Sequence, residues 1–236
     1  MKVPGRVRPS DGDPELGPLL AEPRRALGWA ALMLASALLL FLLVWNTSTH
    51  EVIQQVDDWF LDLVESLRWQ PLVDVAKAFD FLGGTICNWS IRIVVLAILA
   101  YRRQWLSLIA FALAIAVSEA MIGPMKALYD RPRPPGALVG TSGASFPSGH
   151  AVSSAVTAVG LVIVLLPPGH KRWVWERRAA LYASLMALSR TYLGAHWLSD
   201  VVAGALLGCG IAIACPASLV DLRVRVHARR DRLQRE

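Results

Sequence analysis

Three short polar runs interrupt an otherwise apolar stretch of the chain, and their residue types suit phosphate chemistry. The first run is Lys126 to Pro134, the second Phe146 to His150 and the third Ser189 to Asp200. Each lies at the end of an apolar segment, where charge is costly to bury and is usually kept for a function. The groups that could bind a phosphoryl group and break a bond to it belong to Lys126, Arg133, Ser148, Gly149, His150, Arg190, His196 and Asp200.

The third run contains a histidine and a carboxylate at helical spacing. His196 and Asp200 are four residues apart, so on a helix their side chains lie on one face. A carboxylate beside an imidazole selects its tautomer and stabilises the imidazolium, which leaves the other ring nitrogen for attack or proton transfer. Arg190 precedes His196 by six residues, across a Thr-Tyr-Leu-Gly turn, and is expected to return to the same site.

The other two runs supply groups that bind anions. The second predicts a helix start, where the N–H groups of Ser148, Gly149 and His150 are unpaired at the positive helix end. Gly149 leaves room for an oxyanion, and His150 can donate a proton near neutral pH. Lys126 provides a point charge and Arg133 a planar fork, which together suit the charge-rich transition state of phosphoryl transfer.

Composition places these runs in a membrane protein. Hydrophobic residues make up 55% of the chain, which has nine tryptophans and a mean hydropathy of +0.45. One helical crossing of a bilayer needs about 20 apolar residues. We predict an all-α bundle of six transmembrane helices, at residues 27–45, 86–101, 105–125, 151–166, 179–191 and 197–219. The three cysteines show neither disulfide nor metal-ligand spacing.

The Lys and Arg residues are concentrated in alternate loops and in the two tails, and this distribution predicts the topology. With a cytoplasmic N-terminus, the inner segments hold 17 of the 24 Lys and Arg residues, as the positive-inside rule requires. A net charge of +6 spread in this way does not indicate nucleic-acid binding. We therefore predict a multi-pass cell-membrane protein with both termini cytoplasmic and the three polar runs at the extracytoplasmic face.

The remaining segments are assigned by pattern. Residues 1–26 predict a disordered cytoplasmic tail and residues 220–236 a basic cytoplasmic tail, on either side of a membrane domain at 27–219. Residues 51–84 predict outer interfacial helices, the first amphipathic, with Asp57, Asp58, Asp62 and Glu65 on its polar face. The second part, from Pro71 to Gly84, is too short to cross the bilayer and is interpreted as interfacial or re-entrant. We expect Arg92 to snorkel to the interface and Glu119 to be a partner in helix packing.

The three runs resemble the signature of the type 2 phosphatidic acid phosphatase superfamily. That signature is Lys, six residues, Arg-Pro, then Pro-Ser-Gly-His, then Ser-Arg, five residues, His, three residues, Asp. Its positions are filled by Lys126, Arg133, Pro134, Pro147, Ser148, Gly149, His150, Ser189, Arg190, His196 and Asp200. The Arg-Pro pair is duplicated; spacing selects Arg133 and leaves Arg131 as a neighbour or an accessory contact.

The resemblance implies a lipid phosphatase that needs no cofactor or metal. His196 would attack phosphorus to form a phosphohistidine, His150 would protonate the leaving oxygen, and the cations with Ser148 and Gly149 would hold the phosphoryl oxygens. Expected substrates are a polyprenyl diphosphate, phosphatidate or phosphatidylglycerophosphate in the bilayer. The alternatives are a lipid-linked phosphotransferase with the same site, a vanadate-dependent haloperoxidase, and a six-span transporter or scaffold without turnover. Neither headgroup nor oligomeric state follows from the sequence.

Overall fold

A computed structural model describes residues 19–234, which form eight helices without a β-strand in that range. The predicted all-α class is therefore confirmed. The helices are α1 (Pro23–Trp45), α2 (Thr47–Ser66), α3 (Gln70–Gly83), α4 (Thr85–Tyr101), α5 (Trp105–Tyr129), α6 (Gly149–Leu165), α7 (His170–Tyr192) and α8 (Leu198–Leu233). The six apolar segments of the sequence fall on α1 and on α4 to α8.

Three of these helices, α1, α5 and α8, are long and apolar enough to cross a bilayer. The pair α3 and α4, bent by 48° at Gly84, passes the same test as one broken span. Helix α6 has 17 residues, fewer than a typical span, and the first turns of α7 carry charged residues from His170 to Arg178. Length and composition thus support three or four spans, and the count of six remains a prediction.

Helix α8 packs against α1, α5, α6 and α7, and glycines bring it very close to α6. A Cβ at Gly208 would lie 2.5 Å from the Val152 carbonyl oxygen, and one at Gly204 would lie 2.9 Å from that of Ser148. Only glycine permits this approach of two backbones. The close packing places the first turn of α8 beside the first turn of α6, where two of the polar runs lie.

One of the four acidic residues assigned to the polar face of helix α2 does not lie on that face. Asp58, Asp62 and Glu65 are exposed as expected, whereas Asp57 is only 2% exposed and faces the bundle. The prediction for Asp57 is wrong because Arg131 supplies a buried partner at 2.7 Å. Four apolar side chains of α2 are also exposed, at Val52, Val56, Trp59 and Leu63, and so is Leu67, which follows the helix.

Part of the predicted N-terminal tail is ordered. Leu19 is buried, its carbonyl oxygen accepts a 2.6 Å hydrogen bond from Arg172, and α1 begins at Pro23, inside the predicted 1–26 tail. The rest of that tail, residues 1–18, lies outside the described residues. At the other end α8 continues to Leu233 through most of the predicted basic tail.

Candidate active site

A tight turn between α7 and α8 places His196 against the end of α7. Gly194 has a φ of +64°, a left-handed conformation that favours glycine. The turn lets the N–H groups of Ala195 and His196 donate to the Arg190 carbonyl oxygen, at 3.0 and 3.3 Å. Arg190 and His196 thus lie side by side, although they belong to the last turn of one helix and to the loop before the next.

The His196 ring lies between a carboxylate and a guanidinium group. Its Nδ1 is 3.4 Å from Asp200 Oδ2, and its Nε2 is 3.1 Å from a terminal nitrogen of Arg133. Because a guanidinium group can only donate, Nε2 accepts and the ring proton lies on Nδ1. Burial lowers the pKa of His196 to about 4, although Asp200 acts in the opposite direction. The ring is therefore neutral at pH 7, with Nε2 as the candidate nucleophile.

Asp200 is held by groups on both sides. It is the third residue of α8, where its Oδ2 caps the helix by accepting from the Trp197 N–H at 2.9 Å. Its Oδ1 accepts from Arg131 at 2.7 Å, and Arg131 also pairs with Asp57 at 2.7 Å. The sequence analysis left Arg131 as a neighbour or an accessory contact and did not place Asp57 at this site. The duplicated Arg-Pro pair was the sequence signal for a role of Arg131. The Asp57–Arg131–Asp200 chain is buried throughout.

Lys126 and Arg133 converge on the loop that follows α5. Lys126 Nζ donates to the Ala144 carbonyl oxygen at 2.6 Å. The Arg133 guanidinium donates to the carbonyl oxygens of residues 142, 143 and 144 at 2.8 to 3.2 Å, and to that of Ala195 at 2.7 Å. Backbone oxygens rather than carboxylates hold both cations, so most of their positive charge is left for an anion.

The first turn of α6 presents donors beside Asp200. The Ser148 N–H donates to the Asp200 carbonyl oxygen at 3.1 Å, which joins the two helix starts. Ser148 Oγ is buried and has no hydrogen-bond partner among residues 19–234. A Cβ at Gly149 would meet only Ile122, at 3.8 Å, so a ligand can approach the backbone. The prediction that the Ser148 N–H is unpaired is therefore wrong, because the start of α8 supplies its acceptor. The free Ser148 hydroxyl and the remaining N–H groups of the helix start suit an oxyanion.

Asp80 of α3 connects His150 to Arg190, which the sequence analysis did not foresee. Its Oδ1 accepts a hydrogen bond from Arg190 and lies 3.4 Å from His150 Nε2. Gly83, one turn later, packs so closely that a Cβ there would lie 3.0 Å from the His150 ring. The signal available was the acidic residue itself, since charge within an apolar segment usually has a partner.

The sequence suggested that Arg92 snorkels to the interface, but its side chain is fully buried. Its guanidinium donates to Glu119 Oε1 at 2.7 Å, to Thr157 Oγ1 at 2.9 Å and to the Ser153 carbonyl oxygen at 3.2 Å. The snorkelling prediction is wrong because these partners on α5 and α6 satisfy the charge inside the bundle. Glu119 is a helix-packing partner, as expected, since it pairs α5 with α4.

The described part of the chain, residues 19–234, contains no group of three or more His, Cys, Asp or Glu side chains that could hold a metal ion. The positive groups that face the His196 ring and its surroundings are those of Lys126, Arg133 and Arg190. These three side chains supply positive charge for an anion at this site.

Comparison with known proteins identifies the family. A model of the PAP2 superfamily matches residues 107–223, which include the three polar runs. Decaprenylphosphoryl-5-phosphoribose phosphatase of Mycobacterium tuberculosis is 32% identical over 153 residues, which cover 59% of this chain and 76% of the relative. The chain belongs to the PAP2 superfamily.

Other PAP2 phosphatases extend the similarity. Phosphatidylglycerophosphatase B of Bacillus subtilis is 29% identical over 180 residues, covering 73% of this chain and 88% of the relative. Undecaprenyl-diphosphatase of Sulfolobus acidocaldarius is 41% identical over 68 residues, 29% of this chain and 30% of the relative. The crystal structure of a transmembrane PAP2-type phosphatidylglycerolphosphate phosphatase from B. subtilis has the same fold, with a TM-score of 0.59, 24% identity and 87% and 98% coverage of the two chains.

Proposed function

We propose that this PAP2 protein is an integral membrane phosphatase that hydrolyses a lipid phosphate or lipid diphosphate through a phosphohistidine on His196. The observation that carries the proposal is the position of the His196 ring, with Nδ1 directed at Asp200 and Nε2 beside Arg133. Such a ring has a nucleophilic nitrogen next to a cation that attracts the phosphoryl group. Polyprenyl diphosphate, phosphatidate and phosphatidylglycerophosphate are the candidate substrates, and PAP2 relatives act on two of these classes.

The reaction takes place in two displacements. The Nε2 lone pair of His196 forms a bond to phosphorus while the bond from phosphorus to the lipid oxygen breaks, and that oxygen takes a proton from His150. Water then attacks the phosphohistidine and gives a proton to His150, and the P–N electron pair returns to Nε2 as inorganic phosphate leaves. Lys126, Arg133 and Arg190 compensate the negative charge on the phosphoryl oxygens, so we propose a metal-independent reaction.

We further propose six crossings, by α1 and by α4 to α8, with the site at their extracytoplasmic ends. The Lys and Arg distribution supports this topology, because 17 of 24 then lie in cytoplasmic segments. Helices α2 and α3 lie on the outer side in this arrangement. The exposed Val52, Val56 and Trp59 on α2 are typical of a helix in the bilayer interface. A lipid substrate can then reach the site without leaving its leaflet.

The proposed topology predicts which engineered cysteines react in intact cells. In a chain whose Cys87, Cys209 and Cys215 are replaced by alanine, a Gly140→Cys variant should react with a membrane-impermeant thiol reagent. Gly140 is exposed and has no atom within 4 Å of its Cβ position, so the substitution fits. Lys171→Cys, exposed at the start of α7, is the control and should react only after lysis. If Lys171→Cys but not Gly140→Cys were labelled in intact cells, the topology would be the opposite of the one proposed.

The proposed activity predicts phosphate release from at least one lipid of the three candidate classes. His150→Ala should lower kcat on a monophosphate ester by about 10²–10⁴-fold, as expected for loss of a general acid. The loss on a diphosphate should be smaller, because a leaving phosphate needs a proton less than a leaving alkoxide does. Malachite-green assays on both substrate types measure this. Failure to release phosphate from every lipid would refute the function, and transfer to an added lipid or sugar alcohol would identify a phosphotransferase.

A further inference from the structure

A polar cavity of about 180 Å³ opens directly beside His150. It lies between α4, α5 and α6 and the end of α3, and Gly149 and His150 form the wall that it shares with the candidate active site. Its volume is several times the roughly 30 Å³ that one water molecule occupies. The cavity therefore has room for a small polar headgroup.

The Arg92–Glu119 pair also lines the cavity. Glu119 Oε1 accepts hydrogen bonds from Arg92 at 2.7 Å and from the Ser153 hydroxyl at 3.2 Å. Within residues 19–234 nothing donates to the second oxygen, Oε2, and the Glu119 side chain is 36% exposed. Glu119 also lines the cavity, so we take Oε2 as an acceptor available to a group bound there.

The position of the cavity matches that of the leaving group. In phosphoryl transfer the attacking and leaving atoms lie roughly in line on opposite sides of phosphorus. His196 is the proposed nucleophile and His150 the proposed proton donor to the leaving oxygen. The cavity touches His150 and not His196, so the group bonded to the leaving oxygen enters it.

The polar groups of the cavity favour hydroxyl groups over phosphate. Arg92 pairs with Glu119 and donates from Nε to Thr157 and from Nη2 to the Ser153 carbonyl oxygen, so the pair brings no net positive charge that would attract a second phosphate. The free oxygen of Glu119, Oε2, can only accept, so it can take a hydrogen bond from an alcohol but not from the acceptor oxygens of an ionised phosphate. A glycerol or sugar headgroup supplies such alcohols next to its phosphate ester, whereas a diphosphate places a negative charge there.

We propose that Glu119 makes this cavity a leaving-group subsite that selects monophosphate esters of hydroxyl-bearing headgroups over lipid diphosphates. This inference rests on the proposed function and names its substrate class. The wild-type protein should therefore have a higher kcat/KM for phosphatidylglycerophosphate than for undecaprenyl diphosphate, in the same detergent micelles.

The test compares the ratio of these two kcat/KM values across variants. Glu119→Gln replaces the acceptor-only carboxylate by an amide and leaves the Arg92 charge without its partner, where it attracts a second phosphate, so the ratio of phosphatidylglycerophosphate to undecaprenyl diphosphate should fall at least about tenfold. Arg92→Gln/Glu119→Gln leaves no unpaired buried charge and should shift the ratio in the same direction. The ratio is independent of the folded fraction, because both substrates are assayed on one preparation. Glu176→Gln, which breaks a similar pair with the buried Arg172, is the matched control and should leave the ratio unchanged.

An unchanged ratio in both Glu119 variants, or a wild-type preference for the diphosphate, would overturn the subsite. A binding measurement separates this outcome from failure of the proposed function. Native mass spectrometry of His196→Ala with the two lipids should show preferential binding of phosphatidylglycerophosphate, and His196→Ala/Glu119→Gln should lose the preference. If the wild-type protein releases no phosphate at all, the proposed function is refuted, but the binding preference still tests the role of Glu119. Equal preference in the two variants would refute that role.

Discussion

His196→Ala is expected to lower kcat for phosphate release at least about 10⁴-fold, because it removes the nucleophile of the proposed reaction. Lys126, Arg133 and the α6 helix start do not depend on the imidazole for their positions, since backbone oxygens hold the two cations. The variant should therefore still bind lipid phosphate with nearly wild-type affinity. Rapid acid-free quenching of the wild-type enzyme with ³²P-labelled substrate should trap a protein-bound phosphate that is stable to base and labile to acid.

His227→Ala is the matched control for this variant. His227 lies exposed on α8, with its Nδ1 2.9 Å from the Arg223 carbonyl oxygen, in the segment beyond the bundle. Its replacement should leave turnover unchanged. Wild-type turnover by His196→Ala, or a trapped phosphate that survives in that variant, would assign the nucleophile to another residue and contradict the proposed mechanism.

Arg131→Gln should destabilise the protein by about 3–5 kcal/mol, because it leaves the carboxylates of Asp57 and Asp200 buried without a cation. Arg133→Gln should lower activity while stability stays close to wild type, since Arg133 is partly exposed and bonds to carbonyl oxygens. Denaturant unfolding in detergent, followed by tryptophan fluorescence, compares the two variants. We thus expect Arg131→Gln to lose stability and Arg133→Gln to lose activity, although the two arginines lie in adjacent Arg-Pro pairs.

Neighbouring carboxylates on α2 provide the control for this prediction. Asp57→Asn should also be destabilising, because Asp57 accepts hydrogen bonds from Arg131 and from the Ser199 N–H and hydroxyl. Asp58→Asn should be nearly neutral, since Asp58 is exposed and accepts a hydrogen bond from Gln54 of its own helix. Equal unfolding midpoints for Arg131→Gln and Arg133→Gln would show that the buried chain of charges does not stabilise the fold.

Hydropathy predicted the helical segments well, because helix formation in an apolar run depends on residues close in sequence. The same reasoning failed for Asp57, which a helical period places beside Asp58 on a polar face. Its partner Arg131 is 74 positions away, so no local pattern contains the pair. Arg92 was misassigned for the same reason, since Glu119 and Thr157 reach it from other helices.

By itself the sequence determined the helical membrane class, the three polar runs and the pairing of His196 with Asp200, because residues four apart on a helix are neighbours whatever the fold. The tertiary structure alone decided that Arg131 supports Asp200, that Asp80 contacts both His150 and Arg190, the latter 110 positions away, and that Glu119 lines a cavity beside His150. These contacts depend on how closely the helices pack. Glycines at the α6–α8 contact allow that packing, and their effect on distant side chains follows only from the folded backbone.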